Sequence, residues 1–263
     1  MSYQHIEFEI YKGVAVLTLN RPESLNSFTA DMHGEVRTVL TEAAASAEVR
    51  AVLITGNGRG FCAGQDLNDR AVAPGAEMPD LGDSVNSYYN PLIRLITTME
   101  KPVICAVNGV AAGAGANIAL ACDIVIAARS ASFIESFSKL GLIPDSGGTW
   151  ILPRLVGMAR AKGLAMLGPK IKAEQAEAWG MIWQCVDDDE LMTTALGLAE
   201  KMAEQPTRGF AFTKQAFALS AVNSLNEQLE VEKELMRAAG RTHDYKEGVS
   251  AFLEKRTPSY KGE

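Results

Sequence analysis

The chain has 263 residues, 47% of them apolar and 22% charged, which is long enough for one large domain with a real core. Its formal net charge of −7 excludes nucleic acid as a general partner, because such binding rests on neutralising phosphates. A small anionic ligand held by a local basic cluster stays open.

The N-terminus lacks the basic and apolar regions of a signal peptide, and no apolar stretch approaches the roughly 20 residues that span a bilayer. No membrane partner is expected, and a cytoplasmic location is. Cys62, Cys105, Cys122 and Cys185 form no C-x-x-C pair and mostly lie in or beside apolar runs, which predicts reduced, buried thiols. His5, His33 and His243 lie far apart, and no H-E-x-x-H or Cys/His cluster occurs. No metal site is expected, and each histidine reads as a solvated surface side chain.

In chain order, Ile6–Ile10 and Val14–Leu19 read as strands joined by a Tyr11-Lys12-Gly13 turn. Residues 20–26 form a loop in which Pro22 bars further pairing. Thr29 caps a helix through Ala45, with Met32, Val36, Val39 and Leu40 at helical spacing. Ala51–Thr55 is a strand followed by the glycine-punctuated segment 56–67. Residues 70–82, with Pro74, Gly75 and Pro79, read as a mobile surface loop, and Asp83 or Ser84 caps a helix to about Met99.

Two further apolar runs, 103–107 and 123–127, flank the turn Asn108-Gly109 and the small-residue segment Gly113–Asn117. Strands separated by helices predict right-handed crossovers and a parallel sheet, hence an α/β core. Past Gly148 the segments 149–167, 173–179, 190–204, 207–219, 224–239 and 243–255 all read as helices. Ser224 with Glu227 is a capping box, and Val222, Leu225, Leu229 and Met236 form an apolar stripe. The expected division is a core over residues 1–206 and a helical C-terminal region over 207–263.

Gly113-Ala114-Gly115 opens like a dinucleotide fingerprint, but Ile118 stands at the third glycine position. Helix–strand packing and oxyanion binding at a helix N-terminus are the two readings left. Asp145-Ser146-Gly147-Gly148 lacks the histidine context of a serine protease, and Ser136–Lys139 has S-x-x-K spacing without its companion motifs. Asp145 reads either as a base or as the cap of the helix at Thr149.

Together several segments resemble the crotonase, or enoyl-CoA hydratase/isomerase, superfamily. They are Leu19-Asn20-Arg21-Pro22, Phe61-Cys62-Ala63-Gly64-Gln65-Asp66-Leu67, Val107–Gly115, Cys122-Asp123-Ile124 and Leu140-Gly141-Leu142-Ile143-Pro144. The resemblance runs through Ala251–Arg256 and implies an α/β fold, the ClpP/crotonase-like ββα superhelix, with a helical C-terminal trimerisation region. It implies an acyl-CoA thioester as substrate, with no separate cofactor because CoA belongs to the substrate. It also implies a homotrimer or a dimer of trimers, and leaves room for other crotonase-fold subunits as partners.

By motif, the resemblance puts the thioester-polarising N–H groups on Gln65 and Ala114. It puts the CoA groove on Arg21, Ser24, Leu25, Ala63, Asp66 and Leu67. Phe252 and Lys255 would reach the CoA phosphates or adenine, often from a neighbouring subunit.

The two glutamates of the hydratases fall on Asn117 and Phe137, so efficient hydration is not expected, and Glu135 is expected to point elsewhere. Asp145 is left as the catalytic carboxylate. One carboxylate that takes a proton from one carbon and returns it to another is isomerase logic. Within the family, the segments Phe61–Arg70, Tyr89–Leu92, Phe137–Asp145, Gly180–Gln184 and Tyr245–Phe252 most resemble a branch that rearranges a ring epoxide of an aromatic acyl-CoA. An apolar pocket with Phe137, and with Tyr88 or Tyr89, would suit a ring. A straight-chain enoyl-CoA isomerase, a weak hydratase and a non-catalytic scaffold of the same fold remain the alternatives.

Overall fold

The computed structural model describes residues 3–70 and 80–263. Most of the surface loop expected at 70–82 therefore lies outside the described residues.

Strands β1 (Ile6–Tyr11) and β2 (Val14–Leu19) form an antiparallel hairpin. Lys12 and Gly13 turn it with φ of 48° and 76°, the left-handed pair that matches strand twist. Helix α1 (Ala30–Ala45) starts where Thr29 Oγ1 accepts from Met32 N, and buries the stripe the spacing predicts. Then follow β3 (Ala51–Gly56), β4 (Gly60–Cys62), α2 (Leu81–Ser84) and α3 (Asn90–Thr98).

A π turn over Val85–Tyr89 joins α2 to α3. The start of this helix is corrected: Asp80, not Asp83 or Ser84, is the cap, accepting from Gly82 N at 2.7 Å. Pro91 has no N–H and crowds the preceding turn, and the wider π turn relieves it, with Asn90 N donating to Val85 O.

Next come β5 (Val103–Val107), β6 (Val110–Ala112), α4 (Ala114–Leu120), β7 (Ile124–Ala128), β8 (Ser132–Ile134), α5 (Gly148–Val156) and α6 (Met158–Leu167). The single helix expected over 149–167 is two, broken at Gly157 with φ of 78°. The region past Gly148 is also not all helical. Strands β9 (Lys170–Lys172) and β10 (Gln184–Val186) flank α7 (Ala173–Ala178) and return to the sheets. Helices α8 (Leu191–Ala203), α9 (Thr207–Ser220), α10 (Leu225–Ala239) and α11 (His243–Glu254) complete the chain.

The large sheet has the order β1-β2-β3-β5-β7-β10 and the small one β4-β6-β8-β9. Beyond the β1–β2 hairpin the large sheet is parallel, and β4, β6 and β8 run parallel in the small one. The chain repeats one path: a strand in the large sheet, a short turn, a strand in the small sheet, then helix. β3–β4, β5–β6 and β7–β8 are three such turns, and they build the ββα superhelix.

His33 corrects the reading of the histidines as solvated. It is 4% exposed and packs at 4.5 Å centroid distance on both Phe28 and Tyr89, with Tyr88 stacked at 5.3 Å. Its neighbour Met32 belongs to the buried stripe of α1, and the stripe is wide enough to take in both residues.

Helix α9 is tied to the core by Lys214. Its ammonium pairs with Asp123 at 2.7 Å and donates to Ile96 O and Lys101 O at 3.2 and 3.1 Å. The capping box of Ser224 and Glu227 forms as expected, and Val222, Leu225, Leu229 and Met236 face outward, exposed on this single chain. Burial pushes the Asp123 carboxyl up, with Lys214 opposing it. Lys214→Met leaves that carboxyl without its cation and should lower stability by about 2 kcal/mol, a discounted value for a partly accessible pair. Urea unfolding checks this, and an unchanged midpoint would show that the pair does not hold α9.

Candidate active site

Strands β4, β6 and β8 lie side by side and parallel, so the chain leaves all three at one edge. Residues 63–65 follow β4, Gly113-Ala114 follow β6, and Glu135 with the short helix Ser136–Leu140 follows β8. A cavity of about 120 Å³ forms there, lined among others by Gly64, Gln65, Ala114, Phe137 and Asp145. It shares Phe137, Leu142 and Asp145 with a cavity of about 450 Å³ whose wall includes Leu81, Val85 and Asn90.

Two backbone segments, at Gln65 and at Ala114, border this space. Phe28 N donates to Gly64 O at 2.7 Å, and Asp66 N donates to Phe28 O at 2.9 Å. Because strand groups alternate in direction, the N–H of the intervening Gln65 turns away from Phe28. Its side chain is fixed as well: Nε2 donates to Phe28 O and Asp66 O, and Oε1 accepts from Tyr89 Oη at 3.0 Å. Tyr89 is fully buried and Tyr88 stacks on His33, so neither is among the residues lining the two cavities, contrary to expectation.

Ala114 is the first residue of α4, where N–H groups have no partner within the helix. Glycine brings these backbones together. A Cβ on Gly115 would lie 2.2 Å from Cys62 O, and one on Gly64 would lie 2.9 Å from Ala112 O and 3.3 Å from Ala114 N.

Asp145 does not cap α5, whose N-cap is Gly147. Ser146 Oγ donates to Asp145 Oδ1 at 2.9 Å. The Asp145 carbonyl accepts from Gly148 N at 2.9 Å and from Asn117 Nδ2 at 3.0 Å. Asn117, 1% exposed, thus braces the loop from α4, and Gly148 has no Cβ because one would meet the Asn117 amide at 2.3 Å.

Glu135 was not among the residues singled out for the site. It is not among the residues lining either cavity, as expected, yet it is 3% exposed and Asn117 Nδ2 donates to its Oε2 at 3.5 Å. Burial pushes its carboxyl up to about 7, the Asn117 hydrogen bond opposes this, and the negative charge of Asp145 adds to it. Its only sequence signal is a glutamate directly after a buried strand.

The residues assigned to a CoA groove divide into two groups. The loop holding Arg21, Ser24 and Leu25 runs beside Ala63–Leu67, with Ala63 N donating to Leu25 O at 2.9 Å. Arg21 pairs with Asp66 at 3.0 Å, and Asp66 also accepts from Asn68 N at 3.0 Å. Burial disfavours the Asp66 charge, but Arg21 and Asn68 outweigh it and hold the carboxyl below its usual range. Ala63 and Leu67 line the small cavity. Phe252 and Lys255 lie elsewhere, at the end of α11. Phe252, 83% exposed, lines a separate cavity with Tyr245 and Tyr260 that shares no lining residue with the one at Asp145. Among the described residues no cluster of His, Cys, Asp and Glu could hold a metal, and no helix is long and apolar enough to cross a membrane.

Gln65, Ala114 and Asp145 thus line one cavity beyond the parallel strands of a ββα superhelix. Residues 9–263 match the family Enoyl-CoA hydratase/isomerase, and the chain belongs to it. It is 58% identical to the 1,2-epoxyphenylacetyl-CoA isomerase of Escherichia coli K12, over 98% of this chain and 97% of the relative. It is 37% identical to the 2,3-dehydroadipyl-CoA hydratase of the same organism, over 95% of each chain. The crystal structure of the enoyl-CoA hydratase from Bacillus anthracis superposes with a TM-score of 0.93 at 36% identity, covering 99% of this chain and 100% of that one.

The Glu135 carboxyl makes stability depend on pH. Its folded value of about 7 lies above the ordinary 4.5, so the folded chain holds a proton that the unfolded chain releases between the two. Stability is therefore lost as pH rises through that window. Glu135→Gln should unfold later than wild type at about pH 8, by up to about 3 kcal/mol, and show no gain at about pH 4. Thermal melts at the two pH values test this, and equal gains at both would sink it.

Proposed function

We propose that this chain is an isomerase that moves a proton within an acyl-CoA thioester. The reaction converts 1,2-epoxyphenylacetyl-CoA to 2-oxepin-2(3H)-ylideneacetyl-CoA in phenylacetate catabolism, with a 3-enoyl- to 2-enoyl-CoA side activity. The observation that carries this reading is the single carboxylate, Asp145, lining a cavity with Gln65 and Ala114 while Asn117 and Phe137 occupy the two hydratase glutamate positions. The isomerase relative at 58% identity supports the ring substrate.

The thioester carbonyl oxygen accepts from the N–H groups of Gln65 and Ala114. The epoxide stands in equilibrium with its seven-membered oxepin form. Asp145 removes a proton from the carbon alpha to the thioester, and the negative charge moves onto the oxygen held by the two donors. The same carboxyl group returns a proton to a ring carbon. The new double bond is conjugated with the thioester, and no atom is gained or lost. Apolar walls, Phe137 among them, keep water from competing.

CoA belongs to the substrate, and no further cofactor enters the reaction. Arg21, Ser24, Leu25, Ala63, Asp66 and Leu67 form the groove for CoA. Phe252 and Lys255 complete it from a neighbouring subunit of a homotrimer or dimer of trimers, because on a single chain they lie apart from it. Residues 207–263 form the oligomerisation region, and the exposed stripe of α10 supports this. Other crotonase-fold subunits of the same catabolic route remain candidate partners, and the cytoplasm is the expected compartment.

Hydratases of the family use two glutamates to orient and activate water, and Asn117 and Phe137 offer no carboxylate at those positions. With a 3-enoyl-CoA, wild type should give a conjugated thioester of unchanged mass, whereas a gain of one water would establish a hydratase instead. Asp145→Asn should lose about 10³-fold or more in turnover while still binding the thioester. Near-normal activity would remove Asp145 from the mechanism. Gly64→Ala, which forces a Cβ between the two donor segments, should cost about 10²-fold in kcat. An unchanged kcat would show that the donor spacing does not matter.

A further inference from the structure

We propose that Glu135 is a positioning residue for Asp145, acting in its un-ionised form through the Asn117 amide. The proposal rests on the isomerase reading above and concerns a side chain behind the cavity, not one that touches substrate.

One amide group connects the two carboxyl-bearing residues. Asn117 Nδ2 donates to Asp145 O at 3.0 Å and stands 3.5 Å from Glu135 Oε2. Beside it, Glu135 Oε1 and Asn117 Oδ1 are buried oxygens with no hydrogen-bond partner among the described residues. An ionised Glu135 brings only acceptors to this group, and a buried acceptor left unpaired is costly. The un-ionised acid brings a hydroxyl, a further donor in a cluster that has two unpaired acceptor oxygens.

The surrounding charges favour the same form. Asp145 is the charged group whose field reaches Glu135, and it is negative. The basic side chains on the packed elements are Lys139 after β8, Arg154 on α5, Arg160 and Lys162 on α6, and Lys170 and Lys172 on β9, and all are exposed to solvent. No described residue on α4 is charged. A second negative charge would therefore stand uncompensated behind the proposed base. It would also draw the amide toward itself, because a carboxylate accepts more strongly than a neutral acid. The 3.0 Å contact that holds the Asp145 loop would lengthen. Burial, which pushes the Glu135 carboxyl up to about 7, sets where this change occurs.

The test compares full-length wild type, Glu135→Gln and Glu135→Met with a 3-enoyl-CoA across pH. In wild type, kcat should decline on the alkaline side through an apparent pKa near 7 with KM steady. Glu135→Gln keeps a neutral polar group and should hold kcat within about twofold at neutral pH while losing that decline. Glu135→Met fills similar volume without polar atoms and should lower kcat about tenfold on the acid side of neutrality, with no alkaline decline and with KM and the circular dichroism spectrum unchanged. Glutamine as inactive as Asp145→Asn would mean that Glu135 transfers a proton itself, and methionine equal to wild type would mean that Asn117 needs no help. Either result overturns the proposal. Infrared difference spectra give a readout independent of turnover: an un-ionised carboxyl band, lost as pH crosses neutrality and absent from Glu135→Gln. If wild type turns over neither the 3-enoyl-CoA nor the ring-epoxide thioester, the isomerase reading is what fails. The infrared band then decides the state of Glu135 alone, and its absence would overturn the proposal.

Discussion

The site depends on how closely two backbone segments approach. Gln65 and Ala114 come from different strands of the small sheet, and the space between their segments exists only because Gly64 and Gly115 carry no Cβ. A methyl group at Gly115 would enter the Cys62 carbonyl, and one at Gly64 would press on Ala112 O and Ala114 N. Backbone donors suit the proposed chemistry because they are held by the ladder and the helix, and need no rotamer to be frozen when charge develops. Gln65 adds a second lock through its side chain, clamped by Phe28, Asp66 and Tyr89. The part of the residue proposed to act is its main chain, and its side chain serves to hold that main chain still.

The repeated path between the two sheets explains why distant segments meet. Each turn of the superhelix ends a short parallel strand at the same edge, so 63–65, 113–114 and 135–137 arrive side by side from positions far apart in sequence. The carboxylate comes last, on a loop with no regular structure of its own. That loop is held by Asn117 on its carbonyl, Gly148 N across the turn and Ser146 on the carboxylate. Loop placement with a rigid brace allows a side chain to be exposed to ligand and fixed at once.

Much of this was legible in the sequence, and what was not has identifiable causes. The long strands and helices announced themselves by periodicity, and the Thr29 and Ser224 caps by residue type. The three-residue strands β4, β6, β8, β9 and β10 are too short to show a period, yet three of them carry the site. Helix α2 begins early because Asp80 caps it from beside a Pro/Gly-rich stretch that masks the signal. His33 was misread because a histidine beside the apolar stripe of α1 looks polar until Phe28, Tyr88 and Tyr89 are seen around it. The motif resemblance grouped Asp145, Gln65 and Ala114, which are far apart in sequence, and they line one cavity. The same resemblance named Phe252 and Lys255, and one chain does not bring them there.

On the proposed reading, the absence of carboxylates at Asn117 and Phe137 is what turns the fold from water chemistry toward proton transfer. A hydratase must hold a water between two acids, and each of those acids then carries a charge or a proton at the reacting centre. Here Phe137 makes one of those positions apolar, and Asn117 makes the other a donor that faces the loop carbonyl. Neutral Asn117 can approach the Asp145 loop without repelling a charge on it, which a glutamate at the same place could not do. In the mechanism proposed above, the single carboxylate alternates between base and acid on one substrate. Glu135 shows what a second carboxyl next to such a base undergoes. Buried and near a negative neighbour, it is driven toward the neutral form, so one negative charge stands at the cavity and none behind it.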